Sequence, residues 1–370
     1  MFWLNSLKLP FLLKIGLSSL CLAFVFASCG SAPVYVPVHL SAPLLVRPMA
    51  TEPGWTRAGG LHGRFNRQMY LTAVGHGSSR QAAEMDAFRA LVSIFGVTVQ
   101  ADTRLAEVYR RTGAIASHDI YLGQEIILGT GMDNLIGAEI GDRWTDGRGH
   151  HVALAVLNRA RATQLYSEMI RANQETIASL VTFASPAERV TLSGFSRYRF
   201  AAVIADMNTS YAAVLSAVGA PQPQGLRTGD HFRRDAQEIA RSIPIGVNVV
   251  NDRAGRIQGA FARSLSDLGF RTGGANPRYL LDVNIDINPT DHQATIRGQP
   301  IIFTRIEVGA NLIDTSTGTI LLPYNFNFRG AGHRVQSEAE NLAFNEAVQR
   351  IDREYTEILS DYLSRLIPTR

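Results

Sequence analysis

The chain has 370 residues, 46% of them hydrophobic, with 36 Lys and Arg against 32 Asp and Glu and a formal charge of +4. The near-neutral balance, and basic residues spread along the chain with Arg110-Arg111 and Arg233-Arg234 as the arginine pairs, speak against a nucleic-acid surface. The two cysteines, Cys21 and Cys29, and the two lysines, Lys8 and Lys14, all lie at the N-terminal end. The remainder therefore has no zinc–thiolate or iron–sulfur ligand, no cysteine nucleophile, no P-loop lysine and no Schiff-base lysine.

Residues 1–28 read as an export signal: Lys8 and Lys14, the apolar run Ile15 to Phe26, then a small-residue cleavage site. The run is too short to span a bilayer comfortably. Ordinary secretion needs no cysteine, whereas bacterial lipoprotein processing does, and Phe26-Ala27-Ser28-Cys29 before Gly30 resembles a lipobox with Phe in place of the usual Leu. Cleavage between Ser28 and Cys29 is expected, with Cys29 the lipidated first residue, rather than an uncleaved anchor or an ordinary secretory signal. Each buried acyl methylene contributes roughly 0.8 kcal/mol, so the chain's attachment to the membrane would be through its N-terminal lipid. Gly30 and Ser31 follow without an aspartate, which fits sorting to the outer membrane, facing the periplasm.

Residues 29–57, with Pro33, Pro37, Pro43, Pro48 and Pro53, read as a tether. A first α+β domain is expected over 58–158. Its strand Met69 to Val74 leads through Gly75-His76-Gly77 into a helix over about 79–95, with Ser78 or Ser79 as N-cap and Gly96 as stop. Ala83, Ala87, Ala90, Leu91 and Ile94 form that helix's apolar stripe. Strands then follow at VTVQADTRLAEVY, Ile120 to Leu128, Leu135 to Trp144 and His150 to Leu157, the last two joined at Asp146-Gly147. Consecutive strands without helices between them pair antiparallel.

A helical extension is expected over 159–219, as helices at about 159–183 and 186–218. The segment 220–231, rich in Gly, Pro and Gln, reads as a linker to a second domain over 232–370. That domain is expected to run helix (232–242), strand (Ile245 to Val250), helix (254–268), strand (Tyr279 to Ile287), hairpin (301–313 and 319–328) and helix (335–366). The fold class is thus α+β, with mixed or antiparallel sheets packed with helices.

The constellations that suggest chemistry are incomplete. In Gly75-His76-Gly77-Ser78-Ser79-Arg80 an arginine stands where a dinucleotide fingerprint needs its third glycine. Asp102 lies near where a ribose-binding acid belongs, but no second βαβ half follows, so no nucleotide is expected. Asp282, Asn284 and Asp286 share one strand face in a DxNxD pattern, yet a calcium loop would need Gly and Glu where Ile287 and His292 stand. His150 and His151 are adjacent in a strand and point to opposite faces, while His76, His118 and His333 stand singly. HExxH and GxSxG are missing, as is SxxK beyond the signal. No catalytic residue, metal or cofactor is assigned. The competing reading is an envelope enzyme or a binder of small ligands or wall fragments, using Asp282, Asp286 or the His76 turn.

The order of parts resembles the LPP-type twenty-kilodalton lipoproteins of bacterial envelopes. The likeness rests on the lipobox, the proline-rich tether, Pro53-Gly54-Trp55, a strand ending in GxG, the helix RQAAEMDAFRAL and the strand HVALAVLNR before a long helix. It covers roughly 53–185. The resemblance, and that of the related amino-terminal domain of flagellar assembly protein T, implies a structural part at the outer membrane or in the periplasm, with no catalytic residue. IPIGVNVVNDRAGRIQGAFARSLSDLGF followed by YLLDVNIDI is similar to amino-terminal domains of the TolB type. Together these imply a palmitate-bearing, non-enzymatic protein that binds other envelope proteins in outer-membrane or flagellar assembly.

Overall fold

In the computed structural model, described over residues 51–57, 62–95, 135–146, 148–296, 298–330 and 332–367, strand β1 (Tyr70–Gly77) turns directly into helix α1 (Arg80–Ser93). Ser79 Oγ accepts the Ala82 amide at 3.2 Å and so caps the helix. Ala83, Ala87 and Leu91 are buried as the stripe predicts. Ile94, expected on the same stripe, is 45% exposed, because the helix ends one residue earlier and Ile94 serves as its C-cap.

Strands β2 (Ala138–Thr145) and β3 (His151–Asn158) complete an antiparallel sheet of order β1-β3-β2. Between them Asp146 Oδ1 accepts the amides of Arg148 and His150, both at 2.8 Å, and Gly149 takes a φ of +83° that favours glycine. Central β3 is buried on both faces. Ala153, Ala155 and Leu157 enter the main core, whereas Val152, Leu154 and Val156 pack with Phe65 and with Trp55 of the 3-10 turn Gly54–Thr56. This two-sided burial is why HVALAVL reads as a continuous apolar run instead of an alternation.

Helix α2 (Arg159–Val181) is capped by Asn158, whose Oδ1 accepts the Arg161 amide at 3.0 Å. The helix expected over 186–218 is in fact two: a single turn, α3 (Pro186–Arg189), and α4 (Leu192–Ala217). Two capping residues, Ser185 and Thr191, start them separately. A Cβ on Gly194 would lie 2.0 Å from the Arg189 carbonyl oxygen, so glycine lets the two helices meet. α4 is long and apolar enough to cross a membrane by composition alone, but 67% of its most apolar window is buried, and it forms the centre of the core. Arg197, itself buried on α4, reaches back to the end of α2. It donates to the carbonyls of Leu180 (2.6 Å), Ser179 (3.0 Å) and Thr182, and so satisfies acceptors that the helix cannot.

The C-terminal half follows the predicted order, with one short strand, β5, added to it: α5 (Gly229–Ser242), β4 (Pro244–Val250), α6 (Arg256–Asp267), β5 (Arg271–Thr272), β6 (Tyr279–Ile296), β7 (Gln299–Asp314), β8 (Thr319–Arg329) and α7 (Gln336–Ser364). The sheet order is β5-β4-β6-β7-β8. β4 runs parallel to β5 and β6 across the α6 crossover, and β6, β7 and β8 pair antiparallel. β6 extends nine residues past Ile287 to Ile296, where it pairs with Gln299 at the start of β7, which begins two residues before the expected strand. Leu281, Val283 and Ile285 of β6 and Ile306, Val308, Ala310 and Leu312 of β7 are buried in one core with Phe344, Ala347, Ile351 and Tyr355 of α7. The fold is α+β: a three-stranded antiparallel sheet and a five-stranded mixed sheet, each packed with helices.

A continuous apolar core runs from α1 and β3 through α2, α4 and α5 to the second sheet and α7. Ser28, Cys29, most of the tether, Gly96, the strands expected at 97–109 and 120–128, Asp102, His118 and Gly147 lie outside the described residues.

Candidate functional site

The glycines of Gly75-His76-Gly77 serve packing. A Cβ on Gly75 would fall 2.0 Å from the Ala87 backbone nitrogen, and one on Gly77 would fall 2.5 Å from that of Ala83. Two glycines at i and i+2 clear one face of β1, and two alanines at i and i+4 clear one face of α1, so strand and helix meet backbone to backbone. The His76 amide donates to Asp86 Oδ2 at 2.9 Å, so a carboxylate of the chain itself takes up this turn.

Asp282, Asn284 and Asp286 do share the face of the second sheet opposite its core. Asn248 Nδ2 donates to Asp282 Oδ1 at 2.7 Å and Asn284 Nδ2 to Asp286 Oδ2 at 3.1 Å. The register places Asn311 beside Asp282, Gly309 and Asn325 beyond Asn284, and Glu307 and Asn327 beyond Asp286. Asp286 and Glu307 stand directly opposite, a like-charge pairing that weakens a sheet. No group of three metal-ligating side chains occurs among the described residues. This face offers amides and carboxylates to hydrogen-bonding partners.

The histidines are brought together only by strand pairing. His76 and His150 stack at 5.5 Å with their planes 25° apart, while His151 turns away and contacts Thr145 Oγ1 at 3.0 Å. His333 forms an isolated bridge with Ile302, and its Nδ1 accepts the Val335 amide. A pair invisible in the sequence is His62 with Asp142, Nε2 to Oδ2 at 2.9 Å. Burial disfavours the Asp142 carboxylate, but the His62 hydrogen bond and the Arg143 amide outweigh it and hold its pKa below the ordinary value of 3.8. His62 Nδ1 accepts the Arg64 amide, so both ring nitrogens are engaged within the chain.

A cavity of about 250 Å³ opens where α2, α4, α5 and the preceding segment converge. Ile177 and Val181 of α2, Leu226 and Phe232 give it apolar walls; Gln174 and Asn208 bring carboxamides, and Arg227 a guanidinium. Asn208 is 1% exposed, and its Oδ1 accepts from Asn173 Nδ2 at 2.9 Å. Asn173 is wholly buried, and its own Oδ1 has no hydrogen-bond partner. Four elements supply this lining, so no local stretch of sequence announces it.

The chain matches no curated relative. Among solved structures, a secreted protein of Helicobacter pylori aligns at 11% identity and a TM-score of 0.41, over 79% of this chain and 97% of its own. A minor lipoprotein of Acinetobacter baumannii aligns at 12% identity and 0.24, over 31% and 93%. Lipoprotein B of Nitrosomonas europaea aligns at 9% and 0.22, over 32% and 79%. The sequence profile of the LPP20 lipoprotein family matches residues 53–158. From the turn at Trp55 to the end of β3, the chain is therefore similar to the LPP20 lipoproteins, over a shorter stretch than the 53–185 that the residue pattern suggested.

Proposed function

We propose that this protein is held at the bacterial outer membrane by acyl chains on Cys29, faces the periplasm, and acts by binding other envelope proteins during outer-membrane or flagellar assembly. It does so as two α+β modules that share one apolar core. The observation that carries the reading is the order of Phe26-Ala27-Ser28-Cys29 ahead of a segment that matches a lipoprotein family. The site geometry supports binding over catalysis: the GxG turn is filled by helix packing, and His62 has both nitrogens committed.

Metabolic labelling with an alkynyl fatty acid tests the anchor. The wild-type protein takes the label and Cys29→Ser does not; equal labelling of the two overturns the assignment. Fractionation of membranes then locates the labelled protein, and cross-linking in intact cells recovers envelope proteins as partners.

A further inference from the structure

We propose that the cavity between α2, α4, α5 and Gly225–Arg227 receives the C-terminal end of a polypeptide whose last side chain is apolar. The proposal rests on the partner-binding reading and names the element of the partner that is recognised.

Size limits the occupant first. At about 250 Å³ the cavity is smaller than the usual range for drug-sized ligands and larger than one that holds benzene, so it suits one large side chain with its backbone. Chemistry then narrows the class. Ile177, Val181, Leu226 and Phe232 want an apolar group. Arg227 at the exposed rim pairs with no carboxylate among the described residues and meets the His231 ring nitrogen at 3.5 Å, so an anionic group complements it. Gln174 brings a carboxamide that can both donate and accept, and Asn208, whose Oδ1 is taken by Asn173, brings only its remaining amide donor, so a partner with both a donor and an acceptor fits.

The carboxamides decide between two anionic amphiphiles. An acyl carboxylate would satisfy Arg227 and the apolar walls but would cover the amides with methylene, which costs hydrogen bonds in a half-enclosed site. A peptide terminus offers an N–H, a C=O, a side chain and a carboxylate within the same length. Behind the wall, the Asn173–Asn208 pair is already one donor short, so this corner of the core is built around amide hydrogen bonding, not lipid.

The test uses the full chain extracted from membranes in detergent and fluorescent hexapeptides ending in Leu, Val or Phe. Each peptide is titrated as the free acid and as the C-terminal amide, with octanoate as competitor, by fluorescence anisotropy. At least one free acid binds, its amide form binds about tenfold more weakly, and Arg227→Gln weakens the acid by about the same factor without changing the amide. Ala178→Trp, a bulky change at an exposed position on the rim, blocks both forms while the circular dichroism melt stays unchanged. Equal binding of acid and amide, no binding by any peptide at millimolar concentration, or tighter Arg227-dependent binding of octanoate overturns the proposal. Failure of acyl labelling at Cys29 leaves these titrations untouched, so the two readings fail separately.

Discussion

Arg233 on α5 clasps Asp206 on α4 through two hydrogen bonds, Nη1 to Oδ2 at 2.6 Å and Nη2 to Oδ1 at 3.3 Å. Asp206 is a buried carboxylate in an otherwise apolar stretch of α4 and sits against the first residue of α5. A Cβ on Gly229 would meet its Oδ1 at 2.0 Å. The carboxylate thus faces a guanidinium and the positive end of a helix at once, and it fixes where α5 begins, at Gly229, within the stretch read from sequence as the linker 220–231.

Breaking this pair is expected to cost more than the pair contributes. Arg233→Met leaves Asp206 buried without its counter-ion and lowers unfolding free energy by about 3 kcal/mol, while Asp206→Leu combined with Arg233→Met recovers part of the loss. Urea unfolding of the two variants checks both the loss and the recovery.

The GxG turn gives a sharper contrast. Gly75→Ala drives a methyl into the Ala87 backbone, which cannot move aside as a side chain would, and is expected to cost about 3 kcal/mol or to abolish soluble expression. Gly63→Ala meets nothing within 4 Å and is expected to stay within about 0.5 kcal/mol of wild type, with urea unfolding as the measurement for both variants.

Arg197 is expected to resist even conservative replacement. Its fork serves three carbonyls at the end of α2, bonds Glu188 at 3.2 Å, and stacks at 4.1 Å on the Phe183 ring. A lysine ammonium keeps the charge but not the planar fork, so Arg197→Lys should lose about 2 kcal/mol. Hydrogen exchange should show faster opening confined first to the last turn of α2.

Acid is expected to weaken the fold from carboxylate positions. Hydrogen bonds from Arg143 hold the Glu84 carboxyl below its ordinary value of 4.5, and Arg80 adds to them. At Asp314 burial opposes the charge, but Ser316 and Arg278 outweigh it and keep it below 3.8. A carboxyl lowered in the folded state gives stability that is complete above its unfolded pKa and is lost as pH falls through the folded one. The melting temperature should therefore be flat from pH 7 to about 5 and decline progressively below the ordinary carboxylate range. A decline that began above pH 6 would assign the effect to other groups.

Much of the architecture was legible because local signals agreed with one another. Ser79 caps α1 where the sequence places a cap, Asp146 holds the β2–β3 turn, and the period-two alternation of YLLDVNIDI puts Leu281, Val283 and Ile285 inside. The α3–α4 break was missed although Thr191 and Gly194 both mark it, because an unbroken apolar pattern over 192–217 outweighed them. The extension of β6 to Ile296 was missed for another reason. Its residues 288–296 carry little alternation, and they are held as strand by their pairing with β7.

Taken alone, the sequence determined the class of fold, the lipoprotein-like pattern that begins at Pro53 and the role of residue spacing in most elements, because caps, turns and apolar periods act within a few residues. The tertiary structure alone decided which distant side chains meet: His62 with Asp142, His76 with His150, Asp206 with Arg233, and the four elements that line the cavity at Asn208 and Arg227. Those meetings follow from strand register and from helices crossing in a shared core. Such contacts depend on the whole chain's packing, and no short window of residues encodes them.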